Sequence, residues 1–184
     1  MLWAIMINRR QYLVASTLAV TGVAGCTGSG SGPDPVVSNT QNVEPRNIDV
    51  QNQGNEFIAE IQNSGISGTV IVELFFTENG EPSASPAAET NTYIESGDTR
   101  EISFEREPPQ WADGYEFQYQ GTVYAADVRN DGGEGDLELE LIDQPSGTVI
   151  QEKTIRISAD ETRTVEFETT HEFDEEYEIV AESV

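Results

Sequence analysis

The chain has 184 residues, 36% of them hydrophobic, and sets 34 aspartates and glutamates against nine lysines and arginines, for a formal net charge of −25. This composition allows one or two domains with modest cores. It argues against nucleic acid as a partner, because phosphate binding needs a basic patch. A single cysteine rules out an internal disulfide, so stability has to come from packing.

The first segment reads as a processing signal. Arg9 and Arg10 form a pair in the run NRRQYL, and an apolar stretch of residues 13 to 24 follows. At about a dozen residues that stretch is too short to cross about 30 Å of hydrocarbon as a helix. It ends in Val23-Ala24-Gly25-Cys26, with small residues just before the cysteine. In order and spacing these residues resemble a twin-arginine lipoprotein signal. The resemblance implies that residues 1–25 are removed and that the Cys26 thiol accepts a lipid. It also implies that the membrane is a partner, with the mature protein on the outer face of the cytoplasmic membrane. Two alkyl chains would anchor it stably, whereas one short chain binds only marginally. Met6, which opens MINRRQYL, is an alternative start to Met1. A buried free thiol is the bland reading of Cys26, and the polar TGSGSGP that follows argues against it.

Residues 26–42 are rich in Gly, Ser, Pro and Asn and predict a flexible tether. Beyond them come short alternating runs: FIAEI at 57 to 61, TVIVELFF at 69 to 76, EISFE at 101 to 105, YEFQY at 115 to 119, VYAADV at 123 to 128, LELEL at 137 to 141, KTIRI at 153 to 157, TVEFE at 164 to 168 and YEIVA at 177 to 181. Period-two alternation of apolar and acidic residues predicts half-buried antiparallel strands. Turn dipeptides such as Asn79-Gly80, Ser96-Gly97 and Asp131-Gly132 separate them. No helix is expected beyond Cys26, so the fold class is all-β.

The chain also repeats itself. Residues 48 to 65 align without a gap on residues 115 to 132, placing Phe57 on Tyr124 and Ile61 on Val128, and residues 95 to 104 align on 158 to 167. Tyr177-Glu178-Ile179 matches Tyr115-Glu116-Phe117, so this middle strand could close the first unit or open the second. The expected division is residues 43–114 for a first β-sandwich and 115–184 for a second, both small and immunoglobulin-like; a single larger sandwich is the alternative. GTVYAADVRNDG, LELELID and SADETRTVEF of the second repeat resemble the CARDB and FxLYD-like domains of archaeal and bacterial surface proteins. That resemblance implies an extracytoplasmic sandwich used for adhesion or assembly, without catalysis. Asp160-Glu161-Thr162 stands where those domains usually carry a glycine-containing turn.

The acids are spread from Asp34 to Glu182, interleaved with strand-forming residues from Glu44 on, and beyond Cys26 the same 34 face seven bases. Such a surface repels itself in dilute buffer. At molar salt the Debye length falls to about 3 Å and the repulsion is screened. Charge and signal together resemble the exported lipoproteins of salt-loving archaea.

Few constellations carry chemistry. His171 is the only histidine and sits in a polar stretch; no G-x-S-x-G, H-E-x-x-H, C-x-x-C or P-loop pattern occurs. The run NDGGEGD gathers Asp131, Glu134 and Asp136 around three glycines, an arrangement that could wrap Ca2+ weakly, the bland reading being a plain turn. Trp111, Tyr115 and Tyr119 fall close together, as do Phe117 and Tyr124, and they read either as core and interdomain seam or as a patch for a protein or polysaccharide partner. The expected function is a non-enzymatic, lipid-anchored surface module for adhesion, scaffolding or envelope assembly. A ligand-binding lipoprotein accessory to a transporter or envelope complex is the alternative and should show a pocket between the repeats. A hydrolase relying on acidic residues comes third.

Overall fold

The computed structural model describes residues 32–144, 146–169 and 177–184. Among them the chain is all-β and antiparallel, and no described residue is helical. The strands are β1 (Pro35–Asn42), β2 (Pro45–Asn52), β3 (Glu56–Asn63), β4 (Gly68–Glu78), β5 (Glu81–Pro82), β6 (Ala88–Ile94), β7 (Thr99–Glu105), β8 (Gly114–Gly121), β9 (Val123–Asn130), β10 (Gly135–Asp143), β11 (Thr148–Ile157), β12 (Thr162–Glu168) and β13 (Tyr177–Ser183).

They make two sandwiches. In the first, the sheet β2-β3-β7 faces a sheet in which β4 pairs with β5, β6 and β8. In the second, β1-β9-β12 faces β11-β10-β13. Each encloses its own apolar cluster. The two clusters correspond residue by residue: Ala59, Ile61, Val70, Val72, Leu74 and Ile94 in the first, Ala126, Val128, Leu137, Leu139, Leu141 and Ile157 in the second, all 0% exposed. Burying one such aliphatic side chain is worth about 1.5–3 kcal/mol, and alternation along each strand sends every second residue into this layer.

Strand order corrects the expected division of the chain in two places. Residues 35–42, read as tether, form β1, which pairs with β9 from Pro35↔Asn130 to Asn42↔Tyr124. Residues 114–121, expected to open the second sandwich, form β8, which pairs with β4 and closes the first. The second sandwich therefore takes its first strand from the start of the described chain, and the first sandwich is inserted between β1 and β9. The repeat alignment holds for β3 on β9 and for β7 on β12. It fails for β2, whose counterpart is β1 rather than β8, as the pairing of β2 with β3 and of β1 with the equivalent β9 shows.

A buried asparagine at the end of β3 and of β9 explains why the lead-in strands dock where they do. Asn63 and Asn130 are each 0% exposed. Asn130 Oδ1 accepts from the Asp34 N–H at 2.8 Å and from Gly132 N–H at 3.0 Å, while its Nδ2 donates to the carbonyls of Gly133 at 2.7 Å and Ser158 at 3.0 Å. Asn63 repeats the set with Glu44 N–H at 3.1 Å, Gly65 N–H at 3.0 Å, and the carbonyls of Ile66 at 2.6 Å and Ile94 at 3.1 Å. One amide thus ties together the incoming chain, its own turn and the end of a strand in the opposite sheet. The glycine two residues on leaves room for the incoming backbone. A Cβ on Gly65 would meet Asn42 O at 2.0 Å, and one on Gly132 would meet Gly32 O at 2.4 Å.

Asn130→Ala is expected to leave four part-buried backbone groups without their partner and to lower unfolding free energy by about 3 kcal/mol, since each orphaned group costs about 1 kcal/mol, the lower end of the range for buried groups. Asn63→Ala should do the same, while Asn52→Ala at an exposed strand end should stay within about 0.5 kcal/mol. Urea titration in molar salt measures all three.

Candidate functional site

Arg9, Arg10, Cys26 and His171 lie outside the described residues. The structure places the other expected site residues, and it separates them.

The run NDGGEGD is the turn organised by Asn130. Its carboxylates point to arginines rather than to one another: Asp131 to Arg129 at 2.7 Å, Glu134 to Arg156 at 2.9 Å, and Asp136 to Arg156 at 3.8 Å. Among the described residues no group of three or more His, Cys, Asp or Glu side chains is placed to hold a metal ion. The calcium expectation is therefore corrected: a strand reversal accounts for the glycines, and exposed ion pairs, worth about 0–1 kcal/mol each, account for the acids.

The aromatic patch also divides. Tyr115, Phe117 and Tyr119 alternate along β8 and pack onto the first core, with Phe57–Tyr115 ring centroids 4.9 Å apart and Phe117–Tyr119 stacked at 6.3 Å. They close the flank between β2 and β8, so the core half of the expectation holds while the seam half does not. Tyr124 belongs to the second core, 4.6 Å from Tyr177. Trp111 alone is exposed, at 47%, in the loop before β8, at the end of the first sandwich farthest from the second. Burial pushes the Tyr119 phenol far above its usual range, with Tyr115 adding to the effect, and its hydroxyl has no hydrogen-bond partner.

The seam between the sandwiches is built from two chain crossings, β1 into β2 and β8 into β9, with almost no linker. They are bonded to each other and to both bodies: Val43 N–H to Val123 O at 3.1 Å, Thr122 N–H to Thr69 O at 3.0 Å, and Thr169 N–H to Thr122 O at 2.7 Å. Val43 is fully buried in the first core, and a Cβ on Gly121 would meet Val43 O at 2.4 Å. Paired crossings of this kind resist hinge and twist motions that a single linker permits.

Beside the seam lies an open cleft of about 940 Å³, within the size range of ligand sites. One wall is the outward face of β4 and β6, with Ser67, Thr69, Asn91 and Tyr93; the other is the outward face of β12 and β1, with Thr164, Glu166, Glu168 and Gln41. Ile66, Ile71, Val123 and Ile150 supply apolar surface between them. Sequence reading missed this site because β6 was assigned to no strand, part of it falling in an expected loop; the alternation of Asn91 and Tyr93 in ETNTYI was the available signal.

Two carboxylates elsewhere are held below their usual range. Asp127 accepts from the Thr164 hydroxyl at 2.6 Å and Asn39 Nδ2 at 2.8 Å, and Glu161 accepts from Ser158 N–H at 2.7 Å and Arg163 at 2.8 Å. Both fasten loops or strands of the second sandwich and neither lines the cleft. No protein-family model matches the chain, and no curated protein matches it.

Tyr119→Phe provides a test of the closed flank. An acid whose folded pKa is raised contributes stability below its unfolded value near 10 that is lost as pH rises past it. Wild type should lose stability above about pH 10, and the phenylalanine variant should lose less. At pH 7 the variant should be as stable or more so by about 1 kcal/mol, because no buried hydroxyl is orphaned. Thermal melts across pH read both effects.

Proposed function

We propose that this chain is a non-enzymatic surface module, held on the outer face of the cytoplasmic membrane by a lipid on Cys26, that serves adhesion, scaffolding or envelope assembly in concentrated salt. The observation that carries the reading is the place of β1. The chain enters a tightly joined two-sandwich body six residues after Cys26, at Gly32, whose carbonyl accepts from Gly133 N–H at 2.9 Å. On this reading the first sandwich displays the exposed Trp111, at its end farthest from the second sandwich, to a protein or polysaccharide partner. The acids that dominate the chain lie mostly on outer faces rather than in a desolvated pocket of the sort acid–base catalysis requires.

The salt-loving part of the reading is supported by strand register. Asp49, Glu60 and Glu101 stand directly opposite one another across β2, β3 and β7. Glu56 faces Glu105, Glu138 faces Glu182, and Glu140 faces Glu152. Like charges directly opposite on a sheet destabilise it by about 0.2–1 kcal/mol per pair in dilute buffer, and molar salt screens that cost. Glu60→Gln is accordingly expected to raise the melting temperature in dilute buffer and to change it little in molar potassium chloride; equal gains in both media would contradict this account.

Anchoring is tested separately. Cys26→Ser should move the protein from the membrane pellet to the soluble fraction of native cells, and retention in the pellet would remove the lipid anchor from the reading. The second reading, a ligand-binding accessory lipoprotein, is favoured by one observation, the cleft beside the seam, which lies where a ligand shared by both sandwiches would sit.

A further inference from the structure

We infer that the cleft beside the seam is a binding site for a neutral, polyhydroxylated chain, an oligosaccharide segment, with Tyr93 as its stacking platform; this rests on the ligand-binding reading above. Tyr93 is 57% exposed on the outward face of β6, directly across from Thr69 on β4. An aromatic ring left in water at the mouth of a concave site offers an apolar face with a polar tip. The C–H face of a pyranose ring presents the matching apolar surface, and its hydroxyls both donate and accept.

The opposing wall supplies partners for those hydroxyls. Glu166 stands directly opposite Ala125 on β9, as Gln41 does from β1, so a carboxylate and an amide flank one small residue on the same outward face. Glu168 follows two positions along the strand. An alternation of hydroxyl, amide and carboxylate groups suits vicinal diols, which donate two hydrogen bonds to a carboxylate and accept from amides.

An independent observation comes from β11. Gln151 lines the cleft, and its Oε1 is buried with no hydrogen-bond partner. A buried acceptor left unpaired costs about 1–3 kcal/mol, and a rotation of the side chain that brought it to a ligand hydroxyl would remove that cost.

Charge decides between ligand classes. An anion is disfavoured by the net charge of −25 and by Glu166 and Glu168 in the wall itself. A small hard cation needs converging carboxylates, which the described residues do not assemble. A cationic peptide would meet Glu166 and Glu168 but leave the amides unused, whereas a neutral, hydroxyl-rich chain uses the ring, the amides and the carboxylates together.

The test uses the full chain carrying Cys26→Ser, labelled with nitrogen-15 in molar potassium chloride. It is titrated with cello-, malto- and chito-hexaose in one arm and with tetralysine in the other. At least one neutral hexaose is expected to shift the amides of Thr69, Asn91 and Tyr93 together with those of Glu166 and Glu168. Tyr93→Ala should weaken that binding about tenfold. Gln151→Leu should weaken it too without lowering the melting temperature, and Ile48→Ala, at an exposed position on β2 outside the cleft, should leave it unchanged. Shifts with tetralysine and none with any hexaose would overturn the oligosaccharide assignment and leave a cleft for cationic peptide. No cleft shifts in either arm would overturn both the assignment and the ligand-binding reading. Binding that survives Tyr93→Ala undiminished would place the sugar elsewhere.

Discussion

Two buried asparagine side chains hold the rest of this structure in register. A β-sandwich of under about 80 residues is near the size at which apolar burial barely offsets chain entropy, and with one cysteine in the sequence no disulfide can close it. Asn63 and Asn130 take over part of that role by tying strands of both sheets to one turn. Each is fully satisfied, and that condition decides the sign of its contribution. A buried amide with four partners fixes geometry, whereas one with two would destabilise the fold. The same amide also fastens the lead-in segment, whose N–H donates to its Oδ1 while its backbone passes close to the glycine two residues on.

This dependence explains what could be read from the sequence. The class, most strand positions and the shift between β3 and β9 followed from period-two alternation and from the matching of Ala59 with Ala126 and Ile61 with Val128, because alternation encodes which face is buried. Which neighbour a strand pairs with is not encoded that way. YEFQY of β8 and IDVQN of β2 present the same alternation, yet one lies beside β4 and the other beside β3. β1 escaped notice because Asn, Ser, Thr and Gln fill PVVSNTQN, and a positive φ of 50° at Asn39 and a bulge interrupt its pairing. Its signal lies in its partner, the N-x-G-x-x-G spacing shared by residues 63 to 68 and 130 to 135, where the first glycine marks the close approach of another backbone and the second that of a side chain. The departure at Asp160 is likewise local: it adopts φ 58° where Gly97 adopts 83°, so the turn geometry is kept with an aspartate in place of glycine.

The candidate sites illustrate the opposite limit. Glycine-rich acidic runs and clustered aromatics look alike whether they bind or merely fold. For NDGGEGD the deciding facts are non-local: Arg156 arrives from β11 and Asp34 from before β1. For Tyr115 and Tyr119 the deciding fact is Phe57 across the sandwich, which turns an apparent surface patch into the wall of a core. The cleft had no clustered signal at all, since its residues are drawn from six strands and meet only because two chain crossings join the sandwiches.

Those crossings link the scaffold to the cleft. Had the sandwiches been joined by one flexible linker, a groove between them would open and close, and a ligand bridging it would have to order both bodies at an entropic cost. Here Val43 is packed in one core while its N–H is bonded to Val123 of the other sandwich, and Thr69, Thr122 and Thr169 extend the ladder across the junction. The walls of the cleft are thereby set by backbone hydrogen bonds before any ligand arrives, and the ordering cost is met during folding. The insertion of one sandwich between the first two strands of the other therefore has a structural consequence: it converts a junction into a fixed surface.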